Sequence, residues 1–90
     1  MLIITYDISN NKLRTKFSTY LGKYGRRLQY SVFEIRNSAR ILNQIQIKIN
    51  TFYEKKFTQS DSVIIFDLSA TCKITKFGYA KNDESDLIIL

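Results

Sequence analysis

A single carboxylate, Asp7, stands at the end of an apolar stretch and directly before a polar, basic turn. The stretch, residues 4–8, reads ITYDI, and the turn, residues 9–12, reads SNNK. A strand of this kind places the acid at the edge of a sheet. Because Mg²⁺ usually takes one or two carboxylates with waters or phosphate oxygens, the metal-binding hypothesis requires Asp7 from both subunits of a dimer. The alternative is that Asp7 only caps or turns the chain.

The composition excludes several kinds of active site. The chain has no histidine and one cysteine, Cys72, so it cannot build a zinc site of thiolates and imidazoles or a nucleophile paired with a histidine base. Its three glycines, Gly22, Gly25 and Gly78, lack the spacing of a phosphate-binding loop. Any catalysis would therefore depend on carboxylates with a hard cation such as Mg²⁺, or on basic side chains.

The positive charge indicates a polyanionic partner. Fourteen Lys and Arg residues against eight Asp and Glu give a net charge of +6 and a pI near 9.6. This charge attracts nucleic-acid backbones by Coulomb steering and counterion release, although a single charge on a helix is more often solvated surface. The residues that we expect to form a nucleic-acid-binding stripe across a dimer are Lys12, Arg14, Lys16 and Lys23 in one group and Arg26, Arg27 and Arg36 in another.

Two aromatic residues, Tyr6 and Phe33, have more than one interpretation. They are candidates for stacking with nucleic-acid bases, as aromatics on the open sheet of RNA-binding ferredoxin-like domains are. On the sequence alone, a position in the core or in a dimer interface is favoured. The chain lacks the aromatic-rich ribonucleoprotein motifs of those RNA-binding domains.

The strands that would position these residues can be predicted from hydrophobic patterns. Residues 1–6 and 62–68 are apolar on both faces, which is typical of central strands. Residues 26–36 are rich in β-branched and aromatic side chains and predict either one bulged strand or two short ones. We favour the second, a hairpin that turns near Tyr30 and Ser31. Residues 72–77 alternate weakly and predict a marginal fifth strand.

Two amphipathic helices are predicted between these strands, on one face of the sheet. The first is capped by Ser9, Asn10 or Asn11 and ends at Gly25 in the left-handed conformation. The second is capped by Asn37 or Ser38. Their apolar stripes are Leu13, Phe17, Tyr20, Leu21 and Tyr24 in the first helix and Ile41, Leu42, Ile45, Ile49, Phe52 and Tyr53 in the second.

The order of elements predicts an α+β, ferredoxin-like βαββαβ sandwich, with residues 1–78 as the domain and residues 79–90 as a C-terminal extension. The apolar tail at 87–90 is expected to pair with the sheet edge of a second copy and so form a homodimer. No signal peptide and no apolar run of about 18 residues is present, so we expect a cytoplasmic protein without a membrane partner.

Several short segments together resemble the CRISPR-associated protein two family. The first strand ends in Tyr6-Asp7-Ile8, the helix opening has basic residues at positions 12, 14 and 16, and its end reads Tyr24-Gly25. Residues 27–34 read RLQYSVFE, of which the Gln-x-Ser-Val-Phe-Glu segment is the specific signal, and residues 61–63 read DSV before the last core strand. The resemblance covers residues 1 to about 78.

This resemblance implies a ferredoxin-like homodimer joined by C-terminal strands. Members of the family hold double-stranded DNA without reading its sequence, as the central subunit between two dimers of the CRISPR integrase during spacer acquisition. Some are described as Mg²⁺-dependent endonucleases that act on single-stranded RNA or on double-stranded DNA. A toxin-type endoribonuclease is the alternative, because virulence-associated protein D shares the fold and resembles the same family.

The family's functional positions can be carried over residue by residue. Asp7 matches the metal-binding acid and Tyr6 its neighbour, Arg14 and Arg27 match basic positions near the site, and Phe33 matches an aromatic position. The chain departs from the pattern where many members have two adjacent arginines, because it has Leu13-Arg14 there, and Lys16 replaces an arginine. Lysine binds phosphate as a point charge, so fewer bidentate clamps are expected, which weakens the nuclease assignment more than the DNA-holding one.

Overall fold

The computed structural model describes residues 1–69 and 72–79, which form an antiparallel sheet with two helices. The strands are β1 (Leu2–Asp7), β2 (Gly25–Gln29), β3 (Val32–Ile35), β4 (Ser62–Asp67) and β5 (Lys73–Gly78), and the helices are α1 (Asn11–Gly22) and α2 (Ala39–Lys48). The predicted C-terminal extension, apart from Tyr79, lies outside the described residues.

The sheet has the order β2-β3-β1-β4-β5, with every neighbouring pair antiparallel. In this order, α1 connects two strands that are separated by β3, and α2 connects two strands that are separated by β1. This arrangement is the predicted ferredoxin-like βαββαβ sandwich with one added strand at the β4 edge. The fold-class prediction is therefore confirmed.

The core lies between the two helices and one face of the sheet. Alternate residues of β1 point into it, namely Leu2, Ile4 and Tyr6, because successive side chains of a strand point to opposite faces. Both helices present their apolar stripes to the same face, as predicted. The other buried apolar residues are Ile8, Leu13, Phe17, Leu21, Phe33, Ile35, Ile45, Ile49, Tyr53, Val63, Ile65 and Phe77.

The helix starts agree with two of the predicted caps. The side chain of Asn10 accepts a hydrogen bond from the Leu13 backbone N–H at 2.8 Å, and the Ser38 hydroxyl accepts one from the Ile41 N–H at 3.3 Å. Each cap satisfies a backbone donor of the first helical turn, which has no carbonyl partner within the helix. Asn10 also fixes where the basic α1 begins, immediately after the strand that ends in Asp7.

The prediction that Gly25 ends the first helix was wrong. The α1 helix ends at Gly22, and Gly25 is the first residue of β2, where it pairs with Ile35. Its missing side chain has a different reason: a Cβ at this position would lie 1.9 Å from the backbone oxygen of Glu34. Glycine is needed here because the two strands approach too closely for any side chain.

The second helix changes its winding at its C-terminal end. After α2, residues Ile49–Tyr53 form a π-helical turn and Glu54–Lys56 a 3₁₀ turn. A π turn is rare and shifts the direction in which following side chains point. Here Tyr53 is buried in the core, whereas its neighbour Phe52 is half-buried beside α1.

No helix among residues 1–69 and 72–79 covers the second face of the sheet. This face carries the half-buried residues Ile3, Ile64, Phe66 and Ile74. Phe66 pairs with Ile3 on one side and with Ile74 on the other. The hairpin between β2 and β3 turns at Tyr30 and Ser31, as predicted. In the part of the chain that is described, no helix is long and apolar enough to span a membrane.

Candidate functional site

Asp7 is the last residue of β1 and lies on the face of the sheet opposite to the helices. It pairs with Ser62 of β4, and its side chain is exposed, whereas the preceding Tyr6 is buried on the helix side. Within residues 1–69 and 72–79, no hydrogen bond or ion pair to the Asp7 carboxylate is found. The carboxylate is therefore accessible to a ligand, and the structure does not use it as the helix cap, which is Asn10.

Arg14 holds the loop that follows Asp7. From the first turn of α1, its guanidinium Nη1 donates to the Ile8 carbonyl at 2.9 Å and to the Ser9 carbonyl at 3.4 Å. Its Nη2 donates to the Asn11 side chain. The side chain also lies near the ring of Tyr30, with its central carbon 6.0 Å from the ring centroid. Part of its donor capacity thus stabilises the β1–α1 loop.

A small basic cavity forms beside Arg14, on the helix side of the sheet. It has a volume of about 270 Å³, and its lining residues come from β1, α1 and the β2–β3 hairpin. Arg27, an exposed residue of β2, points into the same cavity and covers the ring of Phe33 at 5.3 Å. The full lining consists of Tyr6, Arg14, Thr15, Ser18, Arg27 and Tyr30.

Tyr6 and Phe33 are core residues beneath this cavity. They are buried, with exposed fractions of 6 % and 3 %, and their rings stack at 6.2 Å between centroids. Phe17 packs edge-on against Tyr6 at 5.1 Å. The interpretation of these two residues as core is confirmed. The alternative that they stack with bases was wrong, because their ring faces are covered by other side chains.

The structure brings together only part of the predicted site. Tyr6, Arg14 and Arg27 line the basic cavity, and Phe33 lies beneath Arg27, but neither Phe33 nor Asp7 is part of the lining. The reason is the alternation of side chains along β1, which sends adjacent residues to opposite faces. Within one chain, the acid and the two arginines therefore approach the same end of the sheet from different sides.

The predicted basic residues do not form one surface on a single chain. Arg14 and Arg27 flank the basic cavity, and the lysines of α1 line a groove toward the end of α2. Arg26 points to the open sheet face, where it forms an ion pair with Glu34 at 3.1 Å. Arg36 donates to the Lys23 carbonyl at 3.2 Å. A continuous stripe across a dimer stays a prediction.

One buried acid near the site was not singled out from the sequence. Asp61, which is 1 % exposed, precedes β4 and accepts hydrogen bonds from the Ser9 N–H, the Ser9 hydroxyl and the Thr58 N–H, each at 2.9 Å. The Tyr79 N–H donates to its backbone carbonyl at 2.7 Å. Asp61 therefore ties the loop after Asp7 to the start of β4 and to the end of β5.

The hydrogen bonds of Asp61 determine its ionisation. Burial alone would raise the pKa of this carboxyl, but the bonds donated by Thr58 and Ser9 outweigh burial and lower the pKa below its usual value. The loop therefore stabilises the ionised form of the Asp61 carboxyl. In the sequence, Asp61 was noted only as the first residue of the DSV segment that resembles the family, and its place in a polar turn did not indicate this role, because Asp and Ser are common in any turn.

The donor set at Asp7 fits Mg²⁺ only in part. Carboxylate oxygen is the right chemistry for this cation, and an exposed acid leaves room for waters and phosphate oxygens. However, the described residues contain no group of three or more His, Cys, Asp or Glu side chains that could hold a metal ion. A resident ion would therefore need oxygen ligands from a second copy of the chain or from a bound phosphate.

The fold and the site define a small ferredoxin-like α+β protein with an exposed strand-end acid and a basic cavity beside it. The family model described as "CRISPR associated protein Cas2" matches residues 1–75. The chain belongs to this family. The resemblance inferred from the short segments of the sequence is thereby confirmed.

Curated relatives support the same assignment. The chain is 36% identical to "CRISPR-associated endoribonuclease Cas2 2" of Methanospirillum hungatei, over 98% of this chain and 97% of the relative. It is 35% identical to "CRISPR-associated endoribonuclease Cas2 3" of Synechocystis sp., over 77% of this chain and 72% of that protein. No solved structure matches the chain significantly.

Proposed function

We propose that the chain is the homodimeric, double-stranded DNA-binding subunit of a spacer-acquisition complex, in which it bridges dimers of the CRISPR integrase and holds the incoming DNA. The observation that carries this proposal is the convergence of Arg14 and Arg27, from α1 and from β2, on one surface cavity. Arginine binds phosphate oxygens through several donors at once, and it does so without reading bases.

The sheet face away from the helices, which none of the described helices covers, supports a homodimer. Ile3, Ile64, Phe66 and Ile74 form an apolar surface on the side away from the helices, and β5 has a free outer edge within the described residues. A second copy that covers this surface would remove it from water and would bring a second Asp7 to the same side of the sheets. The predicted strand exchange by residues 79–90 would add to this interface.

The dimer can be tested by light scattering during size-exclusion chromatography. We expect twice the chain mass of 10.6 kDa. Phe66→Glu places a charge on the uncovered face and is expected to give a monomer, whereas Lys76→Glu, on the same face but already charged, is the matched control. A wild-type chain that is monomeric at micromolar concentration would overturn this part of the proposal.

DNA binding can be tested by fluorescence anisotropy with labelled duplexes of different sequence. The expected affinity falls steeply between about 50 and 200 mM salt and depends little on sequence, because phosphate contacts release counterions. Asp7→Asn should leave it unchanged. An affinity that does not change with salt would contradict a backbone-binding function, and failure to retain an integrase dimer in a pull-down would contradict the bridging role.

A metal-dependent endonuclease is the second candidate, and two observations favour it. The relatives are named endoribonucleases, and Asp7 is exposed at a strand end. In this reading, Asp7 from both subunits would hold Mg²⁺, which when bound supplies activation of water and charge stabilisation at phosphate. Arg27 would bind a neighbouring phosphate, and Arg14 would keep the loop after Asp7 in place.

The nuclease activity has a direct test on single-stranded RNA and double-stranded DNA. Highly purified wild type should cleave one of them in the presence of Mg²⁺, and Asp7→Asn should reduce the rate by at least about 100-fold. EDTA should abolish the activity of the wild type. Equal cleavage by both proteins would assign the activity to a contaminant or to another site.

A further inference from the structure

A groove on the helical side of the molecule contains most of the lysines near α1. It lies between α1 and the end of α2 and has a volume of about 780 Å³. A second cavity of about 300 Å³ continues it, since both are lined by Lys12, Lys16 and Phe52. We name this surface the lysine groove and define it by Lys12, Lys16, Lys23, Lys48, Lys56 and Phe52.

Three of these lysines surround one aromatic ring. The ammonium nitrogens of Lys16, Lys48 and Lys56 lie 5.4, 4.6 and 5.0 Å from the centroid of the Phe52 ring. They come from α1, α2 and the 3₁₀ turn, so the fold itself concentrates them. Each cation is attracted to the ring, but the three like charges repel one another, and an anion placed among them would relieve this repulsion.

The position of Phe52 depends on the irregular end of the second helix. It belongs to the π-helical turn Ile49–Tyr53, in which the next residue, Tyr53, is buried in the core. Phe52 packs edge-on against Tyr53 at 4.9 Å between centroids and thereby remains at the groove wall. π-Helical turns are rare and often occur at functional sites. The aromatic ring that lies among the three lysines therefore belongs to the irregular turn.

The groove has no negative charge of its own. Among the described residues, its lining contains no Asp or Glu, and Asn11, Thr15 and Thr19 add neutral polar groups between the lysines. Burial and the neighbouring Tyr24 raise the pKa of Tyr20, which also lines the groove, so its hydroxyl stays neutral. In contrast, Arg26 on the sheet is paired with Glu34. The lysine charges are therefore available to an external anion.

The length of the groove favours an extended anion. Lys12 and Lys23 lie at opposite ends of α1, about 16 Å apart along the axis at 1.5 Å per residue. Successive phosphates of one DNA strand rise by about 3.4 Å along the duplex axis and are farther apart than this along the strand itself, so the groove is long enough for more than one phosphate of a strand. An isolated phosphate would contact only a fraction of the lysines. The spacing thus fits a polymer of phosphates with lysines as point charges.

We propose that the lysine groove binds the phosphodiester backbone of a nucleic acid along α1, independently of sequence and separately from the cavity at Arg14 and Arg27. The inference rests on the proposed nucleic-acid-binding function and adds a second contact surface to it. It includes Lys48 and Lys56, which did not belong to the predicted basic stripe. The shared chemistry is the phosphate backbone, which a DNA duplex or a single strand of RNA can supply.

The test compares two triple variants that remove the same charge. In the groove variant, Lys16, Lys48 and Lys56 are each changed to Gln, and in the control variant Arg40, Lys55 and Lys73, which are exposed and do not line the groove, are changed to Gln. Binding of labelled 30-base-pair DNA and of a 30-nucleotide RNA is measured by anisotropy at several salt concentrations. Circular dichroism and thermal melts verify that both variants are folded.

We expect the groove variant to bind at least one of the two probes about tenfold or more weakly, and to lower the slope of log affinity against log salt by about 2 to 3. The control variant should change the affinity less than about threefold. The probe whose binding is weakened shows whether the groove binds duplex DNA or single-stranded RNA. Equal weakening of binding in both variants would refute the proposal that the lysine groove binds the backbone, because it would show that only the net charge matters.

Two further outcomes distinguish the groove from the proposed function. Loss of binding by Arg27→Gln with full binding by the groove variant would refute the groove and leave the proposed function intact. Absence of nucleic-acid binding by the wild type would refute both. A polyglutamate competitor is included in each titration, and its binding to the groove in preference to either nucleic acid would indicate an acidic protein segment and overturn the proposal.

Discussion

Asp61 accepts both the backbone N–H and the hydroxyl of Ser9 on a single oxygen, Oδ1, at 2.9 Å in each case. Ser9 follows the candidate metal-binding acid by two residues, so this pair of bonds fixes the loop that leaves β1. The other carboxylate oxygen accepts the Thr58 N–H. A buried acid that is 52 residues away in sequence thus determines the position of the candidate site.

Replacement of Asp61 by Asn should destabilise the fold. The amide nitrogen of Asn would take the place of one carboxylate oxygen. In either orientation of the amide, this nitrogen would face a backbone N–H, that of Ser9 or that of Thr58, and two donors cannot form a hydrogen bond with each other. We expect a loss of about 2 kcal/mol in the free energy of unfolding, the typical value of a hydrogen bond to a charged group. Urea denaturation at pH 7 measures it. An Asn variant as stable as the wild type would show that these bonds contribute little.

The contribution of Asp61 should depend on pH. Its folded-state pKa is lowered by hydrogen bonds, so its stabilising effect is complete above the ordinary pKa of an aspartate, about 3.9, and is lost as the pH falls through the lower folded value. The difference in stability between wild type and Asp61→Asn should therefore be constant from about pH 5 to 7 and shrink below about pH 4. A difference that stays constant down to pH 2.5 would contradict this assignment.

Gly25 and Gly22 should respond in opposite ways to a methyl group. Gly25→Ala places a Cβ against the Glu34 backbone, so the β2–β3 pair must separate, and we expect a loss of about 2 kcal/mol or more. Gly22→Ala, at the end of α1, meets no atom within 4 Å and should be neutral or stabilising by up to about 1 kcal/mol. Thermal unfolding of the two variants measures this difference. Equal melting temperatures would refute the close approach of Gly25 to the Glu34 backbone.

The two arginines of the basic cavity should differ in their effects. Arg27→Gln removes an exposed cation and should weaken duplex DNA binding and lower the salt slope by about 1, with little effect on stability. Arg14→Gln should also weaken binding, but it additionally breaks bonds to Ile8 and Ser9 and should cost about 1 kcal/mol of stability. Anisotropy and thermal melts on both variants separate the roles. If Arg14→Gln melts like the wild type, its loop contacts are not stabilising.

Much of the fold could be predicted because it follows from periodicity. The apolar residues of β1 and β4 identify central strands, and the spacing of Leu13, Phe17 and Leu21 identifies the buried side of α1. The caps Asn10 and Ser38 act locally and were recognised as such. The hairpin turn at Tyr30 was also found without a glycine to mark it.

Other features depend on contacts between distant parts of the chain. The role of Asp61 arises from bonds to a loop across the fold, and nothing in its own neighbourhood distinguishes it from a turn residue. Gly25 looked like a helix end because its close approach to Glu34 exists only once β2 and β3 are paired. Likewise, Phe52 lies in a π turn at the end of the second helix, and its ring lies beside lysines that come from three different elements.

The position of β1 in the middle of the sheet has a consequence for biosynthesis. One of its neighbours, β4, pairs Asp67 with Leu2, so β1 acquires this partner only after the two helices and the β2–β3 hairpin between them in sequence have been synthesised. Until then, the apolar β1 has an unpaired edge and depends on the β3 side or on a chaperone for protection. Synonymous codon changes that slow translation before β4 should therefore increase aggregation of the nascent protein, whereas pauses after β5 should not.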